Sequence, residues 1–170
     1  KKKKNLPKVE ESMNLVAKYH EDLEENVFAF LLDENVEDLD EKVIFVHNKD
    51  LAEHISIDEN NRYFSLIDIF SDDSKGEINE QLGKELLAKN FERNICVDVS
   101  LHQNSGASID QQLGFTLAKA KDLTEVFGEE ILKKLIFRFA VGGNYFFEIA
   151  KIRAFKLLFN QLSQEFGLDE

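Results

Sequence analysis

Ile95-Cys96-Val97-Asp98-Val99-Ser100-Leu101 sets Ile95, Val97, Val99 and Leu101 on one face of an extended strand and Cys96, Asp98 and Ser100 on the other. Leu135 to Val141 repeats the arrangement, with Leu135, Phe137, Phe139 and Val141 opposing Ile136, Arg138 and Ala140. Side chains alternate faces along a strand, so a period of two reports which side is buried against what. Strands of an open sheet covered by helices on both sides are apolar on both faces. Here one face suits helix packing and the other a polar interior, which favours a barrel over a doubly wound sheet. Asp98 and Arg138 are expected to pair on that inner face with Asp68 nearby, because an unpartnered buried charge costs several kcal/mol.

Working outward, further runs rich in Val, Ile, Phe or Tyr predict strands at Val27–Leu32, Val43–His47 and Tyr63–Phe70, beside Ile95–Leu101 and Ile136–Val141. Helical patterns fall between them at Val36–Asp40, Lys49–Ile55, Glu77–Asn90, Ser108–Asp122 and Glu129–Lys133. Val9–His20 predicts a leading helix with Val9, Met13, Val16 and Ala17 on one face, and the longest helix runs from about Asn144 to Phe166. Strand–helix alternation predicts parallel strands with helical crossovers in a single α/β domain over residues 1–170. A closed eight-unit barrel takes about 250 residues, so this chain of 170 is expected to form a partial (βα)8 TIM-type barrel of about five parallel strands. Uncovered sheet edges in such a piece predict self-association.

Composition excludes several functions. The formal net charge of −12 opposes phosphate backbones and anionic lipid surfaces, so nucleic acid and membrane are not expected partners. No stretch is long and apolar enough to span a bilayer. Lys1–Lys4 are followed by Asn5-Leu6-Pro7-Lys8 instead of an apolar run, which predicts a solvated end on a cytoplasmic protein. The one cysteine, Cys96, excludes a disulfide framework, and its place in mid-strand predicts an inaccessible thiol. The four histidines, His20, His47, His54 and His102, have no metal-ligand spacing. The acidic run Asp33–Asp38 lacks the glycine a calcium loop requires at its sixth position and reads as a solvated turn.

Two strand-to-helix turns carry the candidate polar sites. In Leu101-His102-Gln103-Asn104-Ser105-Gly106-Ala107-Ser108, Ser108-Ile109-Asp110-Gln111 has capping-box spacing, and His102 and Gln103 are the polar residues best placed for a ligand. In Gly142-Gly143-Asn144, Asn144 is the expected N-cap of the last helix. That helix carries Tyr145, Phe146, Phe147, Ile149, Ile152, Phe155, Leu157, Leu158, Phe159, Leu162 and Phe166 around much of its circumference. One core face needs fewer, so a subunit or domain contact is expected there.

Three blocks then resemble a known family. Gln103-Asn104-Ser105-Gly106-Ala107, Gln112-Leu113-Gly114-Phe115-Thr116-Leu117-Ala118 and Asn144-Tyr145-Phe146-Phe147-Glu148-Ile149-Ala150-Lys151-Ile152-Arg153-Ala154 resemble, in order and spacing, the substrate barrel of methylmalonyl-CoA mutase. The resemblance is strongest over residues 94–159; before Asn94 the chain is similar only to the small, non-catalytic beta-type subunit of two-subunit bacterial enzymes. It implies a component of an adenosylcobalamin-dependent isomerase that interconverts methylmalonyl-CoA and succinyl-CoA. Catalytic subunits of the family carry G-Y-H-x-Q-E-A-G-A, whose histidine polarises the thioester. Aligned on Gly106-Ala107, that histidine falls at Leu101, with His102 at the neighbouring position. Where the family has R-x-S against the acyl-CoA, this chain has Lys134 and Ile136.

The resemblance therefore implies no catalytic residue in this chain, with His102, Gln103 and Lys134 as vestigial substrate contacts. It also implies that adenosylcobalamin lies in a large partner subunit, because the cobalt-ligating D-x-H-x-x-G is absent from the sequence. The expected role is a small, catalytically silent subunit that stabilises its partner. A residual acyl-CoA-binding or regulatory module is the alternative.

Overall fold

Short β-branched and aromatic runs set the frame. The computed structural model describes residues 29–32, 42–70 and 76–168. In chain order these form β1 (Ala29–Leu32), β2 (Val43–Val46), α1 (Lys49–His54), β3 (Arg62–Ser65), α2 (Glu80–Leu87) and β4 (Ile95–Asp98). There follow α3 (Ser100–Asn104), α4 (Ile109–Phe127), a 3-10 helix (Glu129–Lys134), β5 (Leu135–Arg138) and α5 (Tyr145–Glu165). The expected helices Val9–His20 and Val36–Asp40, the tetralysine and the acidic run Asp33–Asp38 lie outside the described residues.

Every strand pair is parallel. β1, β2 and β3 pair in that order, with Ile44 opposite Phe30 and Tyr63, and β4 pairs β5 with Cys96 opposite Ile136 and Asp98 opposite Arg138. The two sheets meet along the chain that extends β3. Phe64 bridges Arg93 and Asp68 bridges Cys96, both in the parallel sense, with Ser65 N–H donating to Arg93 O at 2.9 Å and Cys96 N–H to Ile67 O at 2.9 Å. A bidentate Arg62–Glu92 pair, at 2.7 and 2.6 Å, ties the same seam from the solvent side. Strand neighbours are thus chain neighbours throughout, as an α/β chain with helical crossovers predicts.

The two faces of the strands differ. Leu32, Ile44, Val46, Tyr63, Ile95, Val97 and Leu135 enter one core with Leu51 and Ala52 of α1, Leu86 of α2, Ala120 and Leu123 of α4, and Ile131 and Leu132 of the 3-10 helix. Phe137 joins from β5 and packs edge-on against Phe155 and Phe159 of α5, at 4.6 and 4.8 Å between centroids. The opposite face carries Leu31, Phe45, Phe64, Cys96, Asp98, Ile136 and Arg138 by alternation and register. Its polar residues are on β4, β5 and Asp68, with Arg62 on β3 lying over Phe64 of a Phe45–Phe64 aromatic pair.

Three expectations are corrected in detail. The strand predicted over Ile95–Leu101 stops at Asp98, because Asp98 Oδ1 accepts the Ser100 N–H at 2.8 Å and turns the backbone out of the ladder into α3. Tyr63–Phe70 forms a ladder only over Arg62–Ser65, with isolated bridges at Asp68 and Phe70 beyond it. The helix predicted to end at Asp122 runs on to Phe127, where Gly128 at φ +84 supplies the left-handed residue that stops it. Its start is as expected, since Gln111 Oε1 accepts the Ser108 N–H at 2.9 Å, while the Ser108 hydroxyl donates to Asp110.

Candidate functional site

In a parallel strand–helix arrangement the turns that follow the strands gather at one end of the sheet. After β4 come α3 and the start of α4; after β5 come Ala140, the glycine pair and the start of α5. Asn144 caps α5 as expected, its Oδ1 accepting the Phe147 N–H at 3.3 Å. One turn further along, the sequence places Glu148 and then Lys151 within an otherwise apolar band.

Lys151 is the centre of the arrangement. Its side chain is fully buried, and its Nζ donates to Gln103 Oε1 at 2.9 Å, Gln112 Oε1 at 3.2 Å and Ala140 O at 2.9 Å. An ammonium has three protons, so these acceptors satisfy it completely. Glu148 Oε2 supplies the counter-charge at 2.5 Å. The Lys151 ammonium holds the Glu148 carboxyl below the usual carboxylate range; burial opposes that shift and a hydrogen bond from the Gly142 backbone adds to it. One cation therefore joins α3, α4, the turn after β5 and α5. A Cβ at Gly142 would lie 3.0 Å from Glu148 Oε1 and 3.3 Å from Gln103 Nε2, so a larger residue there would displace these two side chains by a few tenths of an ångström.

A second polar group lies beside it on the strand ends. Arg138 reaches Asp98 at 3.5 Å, so the pair expected from strand alternation forms. It sits at the rim with the Arg138 side chain 55 % exposed, not in a buried interior, because β4 and β5 end at these two residues. Asp68 joins as expected, accepting the Asp98 N–H at 3.0 Å, and Lys119 of α4 bridges Asp68 Oδ2 at 3.2 Å and Asp98 O at 3.3 Å.

Cys96 lies beneath this group, fully buried, with its thiol pushed up to about 12 by burial and then by the Asp68 and Asp98 charges. The thiolate is the reactive species. At pH 8 Cys96 should therefore react with a maleimide roughly a thousandfold more slowly than a free thiol of pKa about 8.5. Denaturant should restore the free rate; fast modification of the folded chain would contradict the placement.

The residues singled out in the sequence are separated. Leu101 is 61 % exposed on α3. His102 lies tilted against Phe115 with centroids 4.6 Å apart, and its pKa is lowered by burial and then by Lys119. Gln103 points its amide oxygen at Lys151 instead of leaving it free for a ligand. Lys134 is at the other end of the strand pair, immediately before β5, where its carbonyl accepts the Asn94 N–H at 2.8 Å. A molecule touching both His102 and Lys134 would have to run the length of β4 and β5. Sequence reading missed Lys151. The available signal was a Glu148–Lys151 pair at i, i+3 inside an apolar helix, four residues before the core residue Phe155.

Among the described residues no cluster of His, Cys, Asp or Glu could hold a metal ion, and no helix is long and apolar enough to cross a membrane. A family model for methylmalonyl-CoA mutase matches residues 87–170. Residues 87–170 are similar to the methylmalonyl-CoA mutase family. This stretch holds β4, β5, α3 to α5 and every partner of Lys151. The curated mutase relatives agree. The chain is 39 % identical over 70 residues to the methylmalonyl-CoA mutase small subunit of Porphyromonas gingivalis, covering 38 % of this chain and 11 % of that one. It is 37 % identical over 70 residues to a methylmalonyl-CoA mutase of Rhizobium meliloti, covering 38 % and 10 %. A mutase of Cereibacter sphaeroides is 34 % identical over 71 residues. The chain thus spans about a tenth of the length of the curated relatives it matches. No solved structure matches it.

Proposed function

We propose that this chain is part of the small, catalytically silent subunit of an adenosylcobalamin-dependent methylmalonyl-CoA mutase, and that it stabilises the cobalamin-bearing large subunit in the cytoplasm. The observation that carries the reading is the turn after β4. It keeps the family's Gln-x-x-Gly-Ala pattern at Gln103, Gly106 and Ala107, yet presents Leu101 to solvent where the mutases carry a thioester-polarising histidine. An alkyl group neither donates a proton nor stabilises a developing oxyanion, and losing such a group costs orders of magnitude in rate. His102 is a poor substitute, since its ring lies against Phe115 and is biased towards the neutral form.

The barrel assignment rests on strand order and on the unequal faces. A doubly wound sheet reverses its strand order and covers both faces with helices. Here each strand adjoins its chain neighbour, and the helices and their core lie on one face, leaving Leu31 52 % exposed on the other. These features fit consecutive units of a (βα)8 barrel. In this reading the cofactor belongs to the partner, because no D-x-H-x-x-G motif occurs in these 170 residues. The acyl-CoA-binding alternative has weaker support, since Gln103 is held by Lys151 and Lys134 stands at the far end of the strands.

The test is assembly. Mixed with a cobalamin-bearing large subunit, the chain is expected to elute from a sizing column as one stoichiometric complex by light scattering, and to raise the thermal midpoint of the large subunit. Separate elution would defeat the assignment of a stabilising role to these residues.

A further inference from the structure

At the end of the sheet opposite Lys151, a cleft of about 550 Å³ opens between the residues that precede β4 and β5 and the second half of α5. Among the described residues its charged lining is Arg93, Lys133 and Lys156, with no carboxylate. That is out of character for a chain with 33 acidic and 21 basic residues. Its apolar lining includes Phe155 and Phe159, whose rings are stacked with centroids 5.7 Å apart. The Arg93 guanidinium donates to the Lys133 carbonyl, and the Lys133 ammonium pairs at 2.9 Å with Glu130, which is not among the cleft's lining residues.

Ligand sites of this size combine an apolar body with a few convergent polar groups that fix orientation. Three cations and two aromatic rings lining one cleft fit an anionic headgroup joined to a flat apolar body, the headgroup meeting Arg93, Lys133 and Lys156 and the body lying towards Phe155 and Phe159. We propose that this cleft is a binding site for small organic anions of that class, independent of the mutase reading and remote from the turns that follow the strands.

Phenyl phosphate is a suitable probe, with benzyl alcohol and inorganic phosphate as its two halves, each titrated into the full 170-residue chain labelled with nitrogen-15. Phenyl phosphate is expected to shift the backbone amides of Arg93, Lys133 and Ser163 saturably, and more weakly at high salt. Each half alone should bind at least tenfold more weakly. Both lysines are exposed, so Lys133→Gln with Lys156→Gln keeps the fold and should lower the affinity roughly tenfold, the loss of about two surface ion contacts. Failure to saturate, equal binding of inorganic phosphate or of benzyl alcohol, or an unchanged affinity in the double variant would each overturn the proposal.

Discussion

Lys151→Met should lower the stability of the fold by about 3–5 kcal/mol, the range for breaking a buried ion pair from one side. The variant fills the same space but removes three hydrogen bonds at once, leaving Gln103 Oε1, Gln112 Oε1 and Ala140 O without their donor. It also strips Glu148 of its counter-charge in a position only 13 % exposed. Buried acceptors without partners cost more than the net worth of the bonds they made. Urea denaturation measures the loss, and a change below about 1 kcal/mol would mean that the ammonium is in effect solvated.

Two companion measurements separate the parts. Glu148→Gln combined with Lys151→Met should be less damaging than the sum of the single variants, because the carboxylate no longer needs a partner. The pH dependence has a definite sign. Glu148 titrates lower in the folded chain than in the unfolded one, so its contribution is complete above the ordinary carboxylate pKa of about 4.3 and is lost as pH falls through the lower folded value. Lys151→Met should remove that acid-labile component.

Phe155→Ala should be comparably severe, at about 3–5 kcal/mol. Phe155 is 8 % exposed and stands at the centre of an aromatic group, 4.6 Å from Phe137, 5.0 Å from Phe139 and 5.7 Å from Phe159. These contacts fasten α5 to β5 and to the turn that follows it. Truncation forfeits the transfer energy of the ring and leaves a cavity that neighbouring rigid rings fill poorly. Phe146→Ala is the control. Phe146 is 79 % exposed two residues after the cap, and its loss should change stability by no more than about 0.5 kcal/mol. Similar urea midpoints for the two variants would contradict the packing of α5 described above.

Much of this was legible in the chain, because the interactions that decide it are local. Period-two alternation located β4 and β5 and their unequal faces, and the Asp98–Arg138 pair followed from that alternation alone. Ser108 with Gln111 and Asn144 announced the two long helices, since a cap involves residues only three apart. Strand ends were less legible. Ser100 and Leu101 continue the alternation of β4 in sequence, but a side-chain bond from Asp98 outcompetes the ladder. The family match found Gln103 but not its role, because its partner Lys151 is 48 positions away and acts through tertiary contact. The exposed Tyr145, Phe146 and Phe147, by contrast, were read correctly as more apolar surface than one core can cover.

The order of the strands has a kinetic consequence. Each pairing joins neighbours in the chain: the seam from Ser65 to Arg93 spans 28 positions and the longest pairing, Ile95 with Leu135, spans 40, and closure entropy grows only logarithmically with length. A nascent chain can therefore lay down one strand against the last as it emerges; each parallel pairing still waits for its crossover, but the search is shorter than in a sheet of reversed strand order.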